Sequence, residues 1–142
     1  MKIGGIETSE VTAVLSLLAV NGLPTEGLAD HSATTLVARH QGAVVGSAAL
    51  ELYGRAALLR SVAVAAAYRG RGLGQQMTNA ALALARQKGV THVYLLTETA
   101  VSFFPKFGFE PVAREAVPAD VRGSLEFTQL CPDSAVAMAL QL

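Results

Sequence analysis

The chain has 142 residues, of which 51% are apolar and 15% charged, and its basic and acidic residues cancel to a net charge of zero. Such a composition predicts one domain, 1–142, with a sizeable core, and excludes a disordered chain or one drawn to nucleic acid or an acidic membrane by overall charge. No cationic start precedes an apolar stretch of leader type, and the longest apolar runs are too short to span a bilayer, so the expected location is the cytoplasm.

In chain order, residues near Met1 to Ile6 suit an edge strand, and Thr8-Ser9-Glu10 opens an apolar helical stretch to about Val20, with Ser9 as its expected cap. Asn21-Gly22-Leu23-Pro24 ends that helix, and the chain to about Ser32 reads as loop or a short second helix. Thr34 to His40 and Ala43 to Leu52, joined by Gln41-Gly42, read as a hairpin, and Tyr53-Gly54-Arg55 turns into a strand over 56–64. A helix then runs from Leu73 to about Lys88, with Met77, Ala80, Ala81 and Leu84 at helical spacing and Gly89 as its C-cap signal. Val90 to Leu96 is a short apolar strand, a helix is expected from about Ala100 to Phe107, and a strand follows Gly108-Phe109-Glu110-Pro111. Val117 to Phe127 reads as loop plus helix, and Ser134 to Leu140 as a closing strand. The order is mixed α/β, with helices crossing between strands after a run of hairpins.

Between the 56–64 strand and the helix stands Arg69-Gly70-Arg71-Gly72-Leu73-Gly74. Alternating glycines let backbone N–H groups converge, and a helix opening at once adds unpaired donors and the positive end of its dipole, which together suit a phosphate. A dinucleotide fingerprint fails here because the third glycine it needs falls on Met77. A nucleotide P-loop fails because no Gly-Lys pair follows the strand.

The segment does match R-x-x-G-x-G, at Arg69, Gly72 and Gly74, and so resembles the acyl-coenzyme A turn of the Gcn5-related N-acetyltransferase (GNAT) superfamily. Phe103-Phe104-Pro105-Lys106-Phe107-Gly108-Phe109 is similar to that superfamily's F-Y-x-K-x-G-F segment. Leu96-Thr97 with the aromatic pair and Gly108-Phe109 resembles the amino-acid acetyltransferases of N-acetylglutamate synthase type. Leu59-Arg60-Ser61-Val62-Ala63-Val64, Tyr94-Leu95-Leu96-Thr97 and Glu126-Phe127 through Leu130-Cys131-Pro132 to Ser134-Ala135 resemble the small acetyltransferases of bacterial arsenic-resistance operons. The resemblance implies a mostly antiparallel central sheet flanked by helices, with strands splayed at a cofactor cleft. It also implies acetyl-CoA as donor, a small primary amine such as an amino acid as acceptor, a link to arsenic resistance, and a homodimer as the common assembly.

By the same resemblance, Val62, Ala63 and Val64 line the pantetheine arm, with an N–H near Val62 polarising the thioester carbonyl. Arg69, Gly70, Arg71, Gly72, Leu73, Gly74 and Gln75 hold the pyrophosphate, and Phe104 stands where many relatives place the tyrosine that protonates the leaving thiolate. Phenylalanine cannot donate a proton, and Leu58 replaces the glutamate that many relatives use as base. Glu51 and Glu98 are the alternatives for a base acting through water, and Thr97 and Ser102 for a donor. Arg60 shares a strand face with Leu58 and is either a clamp for a carboxylate on the acceptor or a salt-bridged structural arginine. Ser61, Arg122 and Glu126 complete the acceptor-side candidates, the last two being alternatively a solvated helix face.

Cys131, the single cysteine, excludes an intramolecular disulfide and a thiolate-rich metal site, and is expected to be a small buried hydrophobe. His31, His40 and His92 show no metal-ligand spacing, so no metal is expected. A non-catalytic acyl-CoA sensor is the rival class, favoured by Leu58 and Phe104. A nucleic-acid module built on the arginine cluster fits poorly with zero net charge.

Overall fold

A computed structural model describes residues 1–130 and 133–142. The expectation for Cys131 lies outside the described residues. Among the described residues seven strands form the hydrogen-bonded order β1-β2-β3-β4-β5-β7-β6, and the chain falls into two compact units, Met1–Glu51 with Leu59–Leu84, and Leu52–Leu58 with Ala85–Leu142.

In the first unit, β1 (Lys2–Gly5) pairs antiparallel with β2 (Thr35–His40), which pairs antiparallel with β3 (Ala43–Tyr53). Gln41 and Gly42 both take positive φ, 52° and 79°, as the two-residue turn joining β2 to β3 requires. Helix α1 (Val11–Val20) buries Val14 and Leu18 against Leu28, Val37 of β2, Ala49 of β3 and Ala63 of β4 (Ala56–Val64). Its entry differs from expectation. A 3-10 turn over Thr8–Glu10 precedes it, and the Glu7 N–H donates to Glu10 Oε1 at 2.9 Å, so a glutamate does the work expected of Ser9. Arg39 holds that glutamate through two hydrogen bonds of 2.6 Å, which a serine hydroxyl could not accept with the same charge.

Helix α2 (Leu73–Gln87) starts in the first unit and ends in the second. Leu73, Met77, Thr78, Ala81, Leu82 and Ala85 are buried, whereas Ala80 and Leu84 are only half-buried, so the inner face is turned slightly from the expected one. Thr78 is accommodated because its hydroxyl donates to the Gly74 carbonyl at 2.9 Å. Gly89, at φ 77°, closes the helix: its N–H reaches the Arg86 carbonyl at 3.1 Å and that of Val90 the Ala85 carbonyl at 3.0 Å, the paired bonds of a Schellman end.

In the second unit, Ala56–Leu58 of β4 run parallel to His92–Tyr94 of β5 (His92–Thr97), the crossover being α2. Strand β5 pairs antiparallel along its whole length with β7 (Val136–Gln141), which also pairs with β6 (Glu110–Pro111). The sheet is thus mixed and mostly antiparallel, as expected. Val121 of α3 (Ala119–Arg122) packs with Leu58, Tyr94, Val117 and Ala137. The helix expected over Ala100 to Phe107 is reduced to one 3-10 turn, Phe104–Phe107. Pro105 stands at its start and Gly108, at φ 100°, ends it. The Glu126–Leu130 segment forms one wide helical turn. Among the described residues no helix is long and apolar enough to cross a membrane.

Candidate active site

In the first unit β4 hands the chain to the glycine turn. The Ala65 N–H donates to the Val45 carbonyl at 2.8 Å, a 3-10 turn spans Ala66–Tyr68, and Gly70 and Gly72 follow, each at φ 78°. A Cβ added at either glycine would meet nothing within 4 Å, so there is room over the turn, and the backbone conformation is what calls for glycine. The Gln76 N–H closes on the Gly72 carbonyl at 3.0 Å. The N–H groups of Leu73, Gly74 and Gln75 precede it in the first turn of α2, where an α-helix offers no intrahelical acceptor, and they stand at the positive end of the helix dipole. Amide donors without side-chain obstruction fit the diphosphate of an acyl-CoA.

The two arginines have separate settings. Arg69 Nε donates to the Val64 carbonyl at 3.3 Å and Nη2 donates to Asn21 Oδ1, bracing the turn against the end of β4 and of α1. Arg71 lies over the Tyr68 ring, 5.5 Å from its centroid, and is exposed.

Within β4, Ser61 takes φ 59°, a left-handed conformation in the middle of a strand. Ser47 Oγ donates to the Ser61 carbonyl at 2.7 Å and fixes the kink from β3. A left-handed residue in a strand re-aims the peptide that follows it, here the one carrying the Val62 N–H. Val62 and Val64 are half-buried and Ala63 is buried. Sequence offers no signal for this kink, because serine has no special preference for positive φ.

Beside the kink lies a buried charge cluster. Arg60 Nη1 donates to Glu51 Oε2 at 2.8 Å, with the two side chains 1% and 3% exposed. Arg60 Nε donates to Ser61 Oγ at 3.1 Å, and Nη2 donates to the carbonyls of Glu26 at 2.8 Å and Pro24 at 3.4 Å. Strand β4, strand β3 and the segment after α1 are thereby tied to one guanidinium. Nε2 of His31 stands 3.6 Å from Glu51 Oε1. Sequence reasoning singled out Glu51 and Arg60 but missed His31, Pro24 and Glu26. The available signal was a glutamate ending an apolar run and an arginine inside another, which buried strands tolerate only as a pair.

The remaining candidates belong to the second unit. Thr97 is buried, and its Oγ1 accepts the Ala100 N–H at 3.0 Å, acting as a cap. Glu98 is exposed, and its Oε1 accepts Ser134 Oγ at 3.1 Å, while Ser102 is exposed. Phe104 is buried in edge contact with Phe103 and Phe109, at centroid distances of 5.1 and 5.8 Å. Arg122 is exposed on α3 and Glu126 is buried, so these two do not form one solvated face.

A family model described as an acetyltransferase (GNAT) domain matches residues 31–111, more than half of the chain, a span that includes the kinked strand, the glycine turn and Phe104. The chain belongs to the GNAT acetyltransferase family. This GNAT chain is 30% identical over 97 residues to an uncharacterized N-acetyltransferase of Chlorobaculum tepidum, a match that takes in 68% of the chain and 62% of that relative's length. Among solved structures, Rv2747 of Mycobacterium tuberculosis, in complex with CoA and NLQ, superposes with a TM-score of 0.85 at 26% identity, covering 100% of this GNAT chain and 99% of the other. The N-acetylglutamate synthase of Neisseria gonorrhoeae, complexed with coenzyme A and N-acetyl-glutamate, also gives a TM-score of 0.85. It is 18% identical, covering 99% of this chain and 35% of the synthase, and shows the shared fold.

Proposed function

We propose that the chain, as one catalytic domain, transfers the acetyl group of acetyl-CoA to a small primary amine that also carries a carboxylate, such as an amino acid. The observation that carries this reading is the kinked strand β4 leading into the glycine turn and the open end of α2: a polarising amide and a phosphate cradle placed in series along one stretch of chain. The M. tuberculosis relative bound to CoA supports the donor.

Bound at the turn, acetyl-CoA supplies an acetyl group activated as a thioester. The N–H groups of Gly70 through Gln75 hold its phosphates, with Arg71 adding charge at the rim. The Val62 N–H, re-aimed by Ser61, donates to the thioester carbonyl oxygen and strengthens as charge develops there. The amine attacks the thioester carbonyl carbon directly, the new C–N bond replaces the C–S bond, and CoA leaves as a thiolate that takes its proton from solvent. The amine proton leaves through water to a carboxylate, for which exposed Glu98 is the candidate, since Glu51 is buried and held in an ion pair by Arg60. With Phe104 in place of a donor, acid assistance of roughly 10²–10⁴-fold is forgone, and rate rests on positioning and carbonyl polarisation. Arg60 pairs with the acceptor carboxylate by giving up the long contact to the Pro24 carbonyl, since a charged acceptor outcompetes a neutral one.

A thiol-release screen over amino acids, arsenic-containing amino-acid analogues, polyamines and peptide amines tests the reading. We expect release with amino acids, and an acceptor KM raised on the order of tenfold or more in Arg60→Gln with the KM for acetyl-CoA little changed. CoA binding with no release over the panel would identify a sensor instead. Release with an arsenic-containing analogue in preference to its parent amino acid would support the arsenic link.

A further inference from the structure

The cluster beneath the kink has a charge balance that binding must disturb. Arg60 and Glu51 carry one positive and one negative charge, both almost wholly buried, and sum to zero. A carboxylate brought to Arg60 adds a negative charge to a site where uncompensated charge is costly. Among the described residues, Arg60 from β4 and His31 from the turn before β2 face the Glu51 carboxylate, and exposed Asp30 adjoins His31 in sequence.

His31 is suited to supply the missing positive charge. Its side chain is 29% exposed, so a proton can come from solvent, while its partner Glu51 is 3% exposed. Its position is held firmly. Thr35 Oγ1 donates to the His31 carbonyl at 2.9 Å, and Thr34 Oγ1 donates to the Leu50 carbonyl, one residue before Glu51. His31 itself leaves helical geometry, at φ −118° and ψ 26°, within the Leu28–Thr34 segment. Two neighbouring hydroxyls thus hold an off-helix residue with its ring beside a buried carboxylate.

We propose that His31 is a specificity-determining positioning residue that takes up a proton when a carboxylate-bearing acceptor pairs with Arg60, so that the enlarged cluster stays neutral. The proton goes from solvent to the imidazole, and the imidazolium Nε2–H faces Glu51 Oε1. Glu51 is then held by His31 as well as by Arg60, which frees guanidinium donors for the incoming carboxylate. An acceptor without a carboxylate gains nothing from this proton. The inference rests on the acceptor reading above and gives it a pH dependence.

The test is isothermal titration of L-glutamine and of L-glutaminamide into the protein saturated with CoA, at about pH 7.5, in buffers of different ionisation heat. The expected result is that wild type takes up as much as about one proton more per L-glutamine bound than His31→Gln does, with no such difference for L-glutaminamide. His31→Gln should bind L-glutamine on the order of tenfold more weakly. His31→Lys, which keeps a positive charge, should bind nearly as wild type without the uptake. CoA binding by each variant checks that it is folded. Equal proton uptake in wild type and His31→Gln would overturn the role of His31 while leaving the acceptor reading standing. Absence of thiol release with every amino acid of the panel in wild type, L-glutamine included, would overturn the amino-acid reading and this inference with it.

Discussion

Ser61 combines the most unusual backbone geometry of β4 with the least sequence signal. A left-handed serine inside a strand is held there by Ser47 from β3, and its Oγ accepts from Arg60. Strain of this kind persists only where the surroundings over-determine it. Ser61→Val should therefore lower the free energy of unfolding by about 1–3 kcal/mol, because a β-branched residue tolerates positive φ poorly. It should also reduce kcat/KM by about tenfold or more as the Val62 N–H loses its aim. Ser61→Gly, which adopts the same φ freely but gives up the hydroxyl that accepts from Arg60, should be destabilised less than Ser61→Val. Denaturant titration with thiol-release kinetics checks both, and a Ser61→Val enzyme with unchanged kcat/KM would remove the kink from the mechanism. Arg60 teaches a related lesson. Its residue type and strand position were legible, and a salt-bridged setting was one of the two alternatives they offered, but the partners that hold it come from Glu51, Pro24 and Glu26, which no local pattern relates to it.

Among the elements, the entry to α1 shows how a side chain far along the chain can choose a cap. Glu10 accepts from the Glu7 backbone and from Arg39 of β2, so one carboxylate closes the helix start and fastens it to the sheet. The hydrogen bond from Arg39 is the main reason its carboxyl sits below the ordinary value. Burial opposes the shift, and the Glu7 N–H and the Arg39 charge add to it. A carboxyl held low in the folded state gives stability that is present above its unfolded pKa, about 4.3, and is lost as pH falls through the lower folded value. Acid unfolding should thus be steeper below about pH 4 in wild type than in Glu10→Gln, which lacks the titrating group. Superimposable acid limbs for the two proteins would contradict this. The same scale explains the shortened 100–107 segment: its aromatic spacing suggests a helix, yet Pro105 and Gly108 leave space for a single turn.

For the whole molecule, a ligand that binds the folded chain and not the unfolded one must stabilise it. Acetyl-CoA at about 100 times its Kd should add about 2.7 kcal/mol to the free energy of unfolding and raise Tm, with amide exchange slowed most over Gly70–Gln75. No rise in Tm at saturating acetyl-CoA would count against the glycine turn as its site. What the sequence determined by itself is what short-range physics encodes: the strand and helix periods, the Gln41-Gly42 turn, the Gly89 helix end, and the glycine turn with its open helix start. That last segment, with the Phe103–Phe109 resemblance, carried the family. What only the tertiary structure decided is what depends on residues far apart in sequence. It paired Arg60 with Glu51 and set His31 beside that pair, gave Glu10 to Arg39 in place of a Ser9 cap, tied exposed Arg69 to Val64 and Asn21, and held Ser61 at a positive φ that serine does not choose alone. Each depends on burial and charge compensation, and those are set by which strands become neighbours and not by any residue's own preference.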